Sequence, residues 1–221
     1  MADPTSAAAH SMLDMPLTQT RLDELWDFSD APASEKRLSA AAAVADGALR
    51  AELLTQVARA RGLQERFAEA DAVLDEVAAG PEAADPAVRT RVVLERGRLR
   101  NSAGDAAAAV ALFAEAERTA AAAGLTFLQV DALHMTAIAS PDGTEATDAA
   151  LAVLEGVTDD RTLRWRVGLH NNRGWARFDA ERYDEALASF VASREAAERW
   201  GTPQQVTWAD EAIAETSQHL G

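Results

Sequence analysis

The chain has 221 residues, of which 48% are hydrophobic and 26% are charged, so it is long enough for one domain or for one short repeat array. Its 36 acidic and 21 basic side chains give a net charge of −15, which argues against binding to duplex DNA or to anionic membranes, because both need a basic surface. The absence of cysteine excludes disulfides, thiol catalysis and cysteine-ligated metal sites.

The first segment, residues 1–17, has little periodicity and contains Pro4 and Pro16, so we expect it to be disordered. It lacks the basic and continuous apolar regions of a secretory signal. No apolar run in the chain approaches the roughly 20 residues that span a bilayer. We therefore expect a soluble, cytoplasmic protein.

Prolines and glycines predict where helices begin and end in the rest of the chain. Pro32, Pro86 and Pro203 stand near helix starts, where a missing N–H is not needed. Alanine, the best helix former, is abundant, and no hairpin pattern of strands is present, so the predicted class is all-α. The expected helices cover residues 18–28, 32–45, 48–63, 67–79, 86–102, 106–123, 126–140, 144–155, 161–180, 183–199 and 203–220.

A spacing pattern recurs along these helices. A small residue, Gly174, is followed by an aromatic residue nine positions later, an alanine three after that and a bulky residue four further on. Successive small positions at 58, 97, 137, 174 and 214 are 39, 40, 37 and 40 residues apart. The small residue lets the second helix of a hairpin approach the first, and each hairpin exposes an apolar face that the next one covers.

This spacing resembles the tetratricopeptide repeat, a helix-turn-helix unit of 34 residues. The residues that carry the likeness are Gly97, Gly104, Ala109, Phe113, Gly174, Tyr183, Ala186, Leu187 and Phe190. The resemblance implies a right-handed α-α superhelix, a solenoid of about five hairpins with a C-terminal capping helix. This single domain would span 18–221, with copies near 18–45, 48–80, 86–123, 126–156 and 161–200 and a cap at 203–220. The stretch Leu25–Phe28 is also similar to bacterial tetratricopeptide proteins without assigned activity.

In such a stack the first helix of each hairpin lines a concave groove. Arginines there are suited to a carboxylate, and asparagines to a peptide backbone or a small polar ligand. The expected binding residues are Arg59, Glu95, Arg98, Asn101, Asp131, His134, Asn171, Asn172, Trp175 and Phe178. The same spacing predicts that further positions face the groove, namely Thr55, Gln56, Gly62, Leu94, Met135, Ile138, Pro141, Glu211, Ala212, Glu215 and Gln218.

Several of these residues have a purely structural interpretation as well. Glu95 and Arg98 are three apart and can pair with each other on one helix. Asp131 lies one turn before His134 and would raise its pKa, but a lone histidine more often has no catalytic role. We expect core positions for His170 and for four tryptophans, Trp26, Trp165, Trp200 and Trp208.

The favoured function is a binding module for a protein or peptide, with no catalysis, no cofactor and no metal. The acidic balance favours a basic partner, because opposite charges speed encounter. The alternative is a small-molecule or catalytic pocket built from Glu95, Asp131, His134, Asn171 and Trp175. A third option is a structural protein that forms homodimers.

Overall fold

The computed structural model describes residues 17–140 and 143–220, and within them every regular element is helical. This confirms the all-α class. In chain order the helices are α1 Gln19–Leu25, α2 Ala31–Val44, α3 Gly47–Gly62, α4 Phe67–Ala79, a 3₁₀ turn Pro81–Ala84, α5 Pro86–Ser102, α6 Ala106–Ala122, α7 Thr126–Ala139, α8 Thr144–Val153, α9 Asp160–Leu163, α10 Trp165–Asp179, α11 Tyr183–Trp200 and α12 Pro203–Ser217. The predicted disorder of 1–17 lies outside the described residues except at Leu17, which is buried in a core cluster, contrary to the prediction. The groove position predicted at Pro141 also lies outside the described residues.

Several helix starts follow the capping chemistry of the sequence. The side chains of Asp30, Asp85 and Asp105 each accept a hydrogen bond from a backbone N–H of the first turn that follows. Thr202 and Gln205 form a reciprocal capping box at the start of α12. The prolines predicted near helix starts lie in the first turns of α2, α5 and α12. The segment predicted as one helix over 161–180 is instead divided into α9 and α10.

The chain divides into two compact units, which we call unit 1, up to Ala139, and unit 2, from Ser140 onward. In unit 1, α3 packs against α2, α4 and α5, and α5 packs against α6 and α7. In unit 2, α10 packs against α8 and α11, and α11 packs against α12. The boundary falls within the copy predicted at 126–156, and the succession of repeats over 18–221 stays a prediction.

Two glycines form the helix contacts that the repeat spacing predicts. A Cβ at Gly97 of α5 would overlap the ring of Phe113 on α6, and a Cβ at Gly174 of α10 would overlap the ring of Phe190 on α11. Both phenylalanines are fully buried. The absence of a side chain at these two positions therefore allows the second helix of each hairpin to lie close to the first.

The repeat spacing is one residue off in the second helix of the copy predicted at 126–156. The pattern puts Ala146, Ala149 and Val153 inward, whereas α8 buries Thr147, Ala150 and, just after its end, Leu154. Alanine is so frequent here that it does not mark a face, and the larger leucine gains most from leaving water. Among the described residues no helix combines the length and the apolar character that crossing a membrane requires.

Candidate functional site

Helices α3, α5 and α7 bring a set of buried charges together in unit 1. Arg91 on α5 donates to the Glu52 carboxylate on α3 at 2.8 Å. Arg98 donates to Glu95 and to Asp131 on α7, both at 2.6 Å. A buried ion pair stabilises the fold only when its geometry is good. Removing one partner is nevertheless strongly destabilising, because it leaves an isolated charge buried in the protein.

The buried charges shift one another's pKa values. Burial would raise the pKa of Asp131, but the guanidinium groups of Arg98 and Arg59 outweigh it and hold that pKa below the ordinary value. Burial likewise opposes the charge of Arg98, yet Asp131 and Glu95 raise its pKa. Glu52 differs, because burial raises its pKa more than Arg91 lowers it.

Arg59 on α3 has a different environment from Arg91 and Arg98, the other two arginines of this cluster. Its guanidinium lies 5.2 Å from the ring centroid of Phe28 and 5.6 Å from that of Trp26, and the two rings stack on each other at 4.8 Å. Among residues 17–140 and 143–220 it forms no ion pair and no hydrogen bond, and its Nε is buried. Burial and the positive charge of Arg98 lower its pKa, despite the nearby carboxylates of Glu95 and Asp131.

The two rings reach Arg59 because α1 ends earlier than predicted. The expected helix over 18–28 would point residues 26 and 28 to opposite sides, but α1 stops at Leu25 and Trp26 is extended, with φ −92° and ψ 135°. Alternate residues of an extended chain share a side. The indole of Trp26 donates to Gln56 at 3.2 Å, and the backbone N–H of Asp27 donates to Ser34 at 2.8 Å.

The structure brings five of the predicted unit 1 residues into this cluster, and the pKa of one of them, His134, differs from our expectation. Glu95 and Arg98 do pair with each other, as their spacing allows. The pKa of His134 is lowered, since burial outweighs the effect of Asp131, which is opposite to our expectation. Asn101 lies half-buried near the end of α5. The predicted cluster members are Arg59, Glu95, Arg98, Asp131 and His134.

Three uncharged residues of α3 and α5 that were predicted to face a groove are buried. Leu94 is part of the core cluster that contains Phe113 and Ala132. Thr55 and Gln56 are buried on α3, where the Thr55 hydroxyl donates to the Glu52 carbonyl. The repeat spacing alone does not distinguish these buried positions from exposed ones, because burial depends on how neighbouring helices pack.

Unit 2 contains a partly open cavity of about 410 Å³ between α10, α11 and α12. Asn171 and Trp175 project into it from α10, and Glu211 and Glu215 from α12. Trp208 forms another wall, is 57% exposed and therefore is not the core residue we predicted. The remaining lining residues are Val167, Gly168, Ser193, Gln205 and Ala212.

The other predicted residues of α10 lie beside this cavity rather than in its lining. Phe178 makes edge-to-face contacts with Trp175 and Tyr183, at centroid distances of 5.4 and 5.3 Å. Asn172 is half-buried. Arg173 donates to Asp148 of α8 at 2.7 Å and contacts the Nδ1 of His170 at 3.1 Å. Burial and the neighbouring arginines lower the pKa of His170 to about 4.

Sequence reasoning missed the contributions of Trp26, Phe28, Gly168 and Trp208. The signal for the first two was present, because Asp27 and Ser29 are turn-forming residues that make a continuing helix less favourable. The sequence contained no indication of a role for Gly168, because it lies neither at a predicted helix end nor at a position of the repeat spacing where two helices approach closely. A Cβ at this position would meet no atom within 4 Å, so its missing side chain leaves open space in the cavity wall.

Comparisons of the chain with protein-family models, with curated proteins and with solved structures found no match. In the described part of the chain no three histidine, aspartate or glutamate side chains are grouped so as to hold a metal ion. The candidate sites are therefore assessed from their own geometry.

Proposed function

We propose that unit 1 is a binding module that recognises a segment of a partner protein by holding a carboxylate at Arg59. The observation that carries this proposal is the contrast among the three arginines of the buried charge cluster. Arg91 and Arg98 are paired with carboxylates, whereas Arg59 has no acidic partner among the described residues and is held against two aromatic rings.

The environment of Arg59 favours an incoming anion. A guanidinium fixed by ring stacking loses less conformational freedom on binding than a free side chain. Its two terminal nitrogens present parallel donors to a carboxylate, which gives a short, charge-assisted pair. Because burial lowers the pKa of Arg59, a bound carboxylate would also restore the stability of the charged form.

Two further features suit a peptide rather than an isolated anion. Phe28 is 64% exposed and offers apolar surface to a neighbouring side chain of the ligand. The Oε2 atom of Glu95 receives no hydrogen bond among the described residues, and because it is buried, a peptide N–H would reach it only as the ligand enters the cluster. A C-terminus supplies both groups, because its carboxylate is preceded by the backbone N–H of the same residue.

The tetratricopeptide-like superhelix and the cytoplasmic location belong to this proposal too. Gly97 with Phe113 and Gly174 with Phe190 support the hairpin packing of such repeats. For the alternative small-molecule pocket, Glu95, Asp131 and His134 lie in unit 1, whereas Asn171 and Trp175 lie in unit 2. Burial lowers the pKa of His134, and Asp131 beside it is paired with Arg98, which supports a structural role more than a catalytic one.

The test is selection from a library of random seven-residue peptides displayed with free C-termini, followed by calorimetry of synthetic peptides. We expect peptides to be selected, and we expect their amidated copies to bind at least about tenfold more weakly, because the charge-assisted pair is lost. The variant Arg59→Gln should weaken binding of the free-acid peptides by a similar factor, about 10- to 100-fold.

The matched control is Arg89→Gln, which removes an equal charge from an exposed side chain of α5 that pairs with Glu115. It should leave the affinity nearly unchanged. The proposal is wrong if no peptide is selected, if free-acid and amidated peptides bind equally, or if Arg59→Gln and Arg89→Gln have the same effect.

A further inference from the structure

The cavity of unit 2 carries unpaired negative charge beside aromatic rings. Glu211 and Glu215 are one helical turn apart on α12, so both carboxylates lie on the same face of that helix. Neither forms an ion pair or a side-chain hydrogen bond among the described residues. Two like charges at this spacing repel each other, and a bound cation would relieve the repulsion.

The aromatic walls add a second, independent attraction. Trp175 and Trp208 both line the cavity, and the face of tryptophan is the best aromatic surface for an organic cation. Trp175 is fixed by edge-to-face contact with the buried ring of Phe190, at 5.0 Å between centroids. The Trp175 ring therefore does not have to be ordered when a ligand binds.

The polar groups of the lining fall into two sets. Ser193 and Gln205 are engaged within the protein, the first with the Val167 carbonyl and the second with Arg164 and the backbone of Thr202. Asn171 has no such side-chain partner in the described part of the chain, so its amide oxygen remains available as an acceptor. The cavity thus offers acceptors and π-faces, and its volume of about 410 Å³ is within the range of small-ligand sites.

We propose that this cavity binds an organic cation, an alkylammonium or guanidinium group, between the carboxylates of Glu211 and Glu215 and the rings of Trp175 and Trp208. The acyclic chain of such a group fits against Val167, Ala212 and the space left by Gly168. The site is separate from the carboxylate site at Arg59, and either proposal can fail without the other.

The test is an NMR titration of the ¹⁵N-labelled full chain that follows the indole N–H signals of Trp175 and Trp208. The probes are the capped peptides acetyl-Gly-Lys-Gly-amide and acetyl-Gly-Arg-Gly-amide, the neutral norleucine analogue and free n-butylammonium. We expect saturable shifts of both indole signals with the cations and none with norleucine. Tighter binding of the lysine peptide than of n-butylammonium would identify a protein side chain as the source, and the reverse order a free amine.

The decisive variant is Glu211→Gln with Glu215→Gln, which should weaken binding about tenfold or more. Its control, Glu155→Gln with Glu195→Gln, changes the net charge equally at two exposed positions of unit 2 that do not line the cavity. A second pair is Gly168→Leu, which should fill the cavity and abolish the shifts, and Gly168→Ala, which should retain them.

Circular dichroism of each variant separates loss of binding from loss of fold. The proposal is overturned if norleucine shifts the indole signals as the cations do, if no cation shifts them, or if the two double variants bind equally well.

Discussion

In unit 1 Arg91 and Arg98 lie 2.8 and 2.6 Å from carboxylates that belong to neighbouring helices, whereas in unit 2 Glu211 and Glu215 have no basic partner within the described residues. The first region joins α3, α5 and α7 through buried ion pairs and leaves Arg59 without an acidic partner among the described residues. In the second, the ion pairs that join helices, such as Arg194 with Asp210 and Arg173 with Asp148, are more exposed, and Glu211 and Glu215 stay unpaired at the wall of a cavity. Buried charge therefore contributes to the fold in the first region, whereas the two unpaired carboxylates of the second serve recognition on our proposal.

The largest effect is expected from Arg91→Met in unit 1. The change leaves Glu52 buried without its partner, so the free energy of unfolding should fall by about 3–5 kcal/mol. Urea denaturation measures this loss. The double variant with Glu52→Met should recover much of the loss, because no isolated charge then remains.

Arg89→Gln is the control for that measurement, since it breaks an exposed pair with Glu115 and should cost less than about 1 kcal/mol. An equal effect of Arg91→Met and Arg89→Gln would show that the burial of the Arg91–Glu52 pair adds nothing to the stability of unit 1.

The next effect concerns two glycines of α10 in unit 2. Gly174→Ala should lower the free energy of unfolding by about 1–3 kcal/mol, because the methyl group overlaps the buried Phe190 ring. Gly168→Ala should raise it by about 0.5–1 kcal/mol, since the position is helical and open. Thermal unfolding of both variants checks the opposite signs, and destabilisation by both would show that the cavity wall is closed at Gly168.

A smaller, pH-dependent effect is expected from His170. Its pKa is lowered from 6.5 to about 4 by burial and by neighbouring arginines, so the unfolded chain takes up a proton that the folded chain refuses. Stability should therefore fall as the pH decreases from about 6.5 to about 4 and then level off. The difference between the wild type and His170→Gln in urea midpoints isolates this contribution from that of His134, and a difference that does not change with pH would contradict it.

The smallest effect on stability is expected from Glu211→Gln with Glu215→Gln. These side chains are exposed and form no internal pair in the described part of the chain, so the urea midpoint should stay within experimental error of the wild type. A marked loss of stability would show that unit 2 also depends on its charges.

The fold was largely predictable because capping residues and the small-residue spacing act locally. Asp30, Asp85, Asp105 and Thr202 cap the helices that follow them, and Gly97 lies where an aromatic ring needs room. The spacing failed in α8, where abundant alanine hides the buried face. It also failed to predict the 3₁₀ turn Pro81–Ala84.

The sites were predictable only in part. Helical period placed the binding residues of both units on one surface, among them Arg59, Arg98 and Asn171. It could not predict that Arg59, unlike Arg98, lacks an acidic partner among the described residues, because pairing across helices depends on distances between residues far apart in sequence. The stacking of Trp26 on Phe28 depends on the end of α1.

The most direct test of the central claim is NMR of the arginine Nε–H groups while a selected free-acid peptide is added to the full chain. The account predicts that the Arg59 signal, assigned with Arg59→Gln, shifts to saturation with the calorimetric affinity, while the signal of the internally paired Arg91 stays in place. Binding of the peptide with an unchanged Arg59 signal would contradict the account.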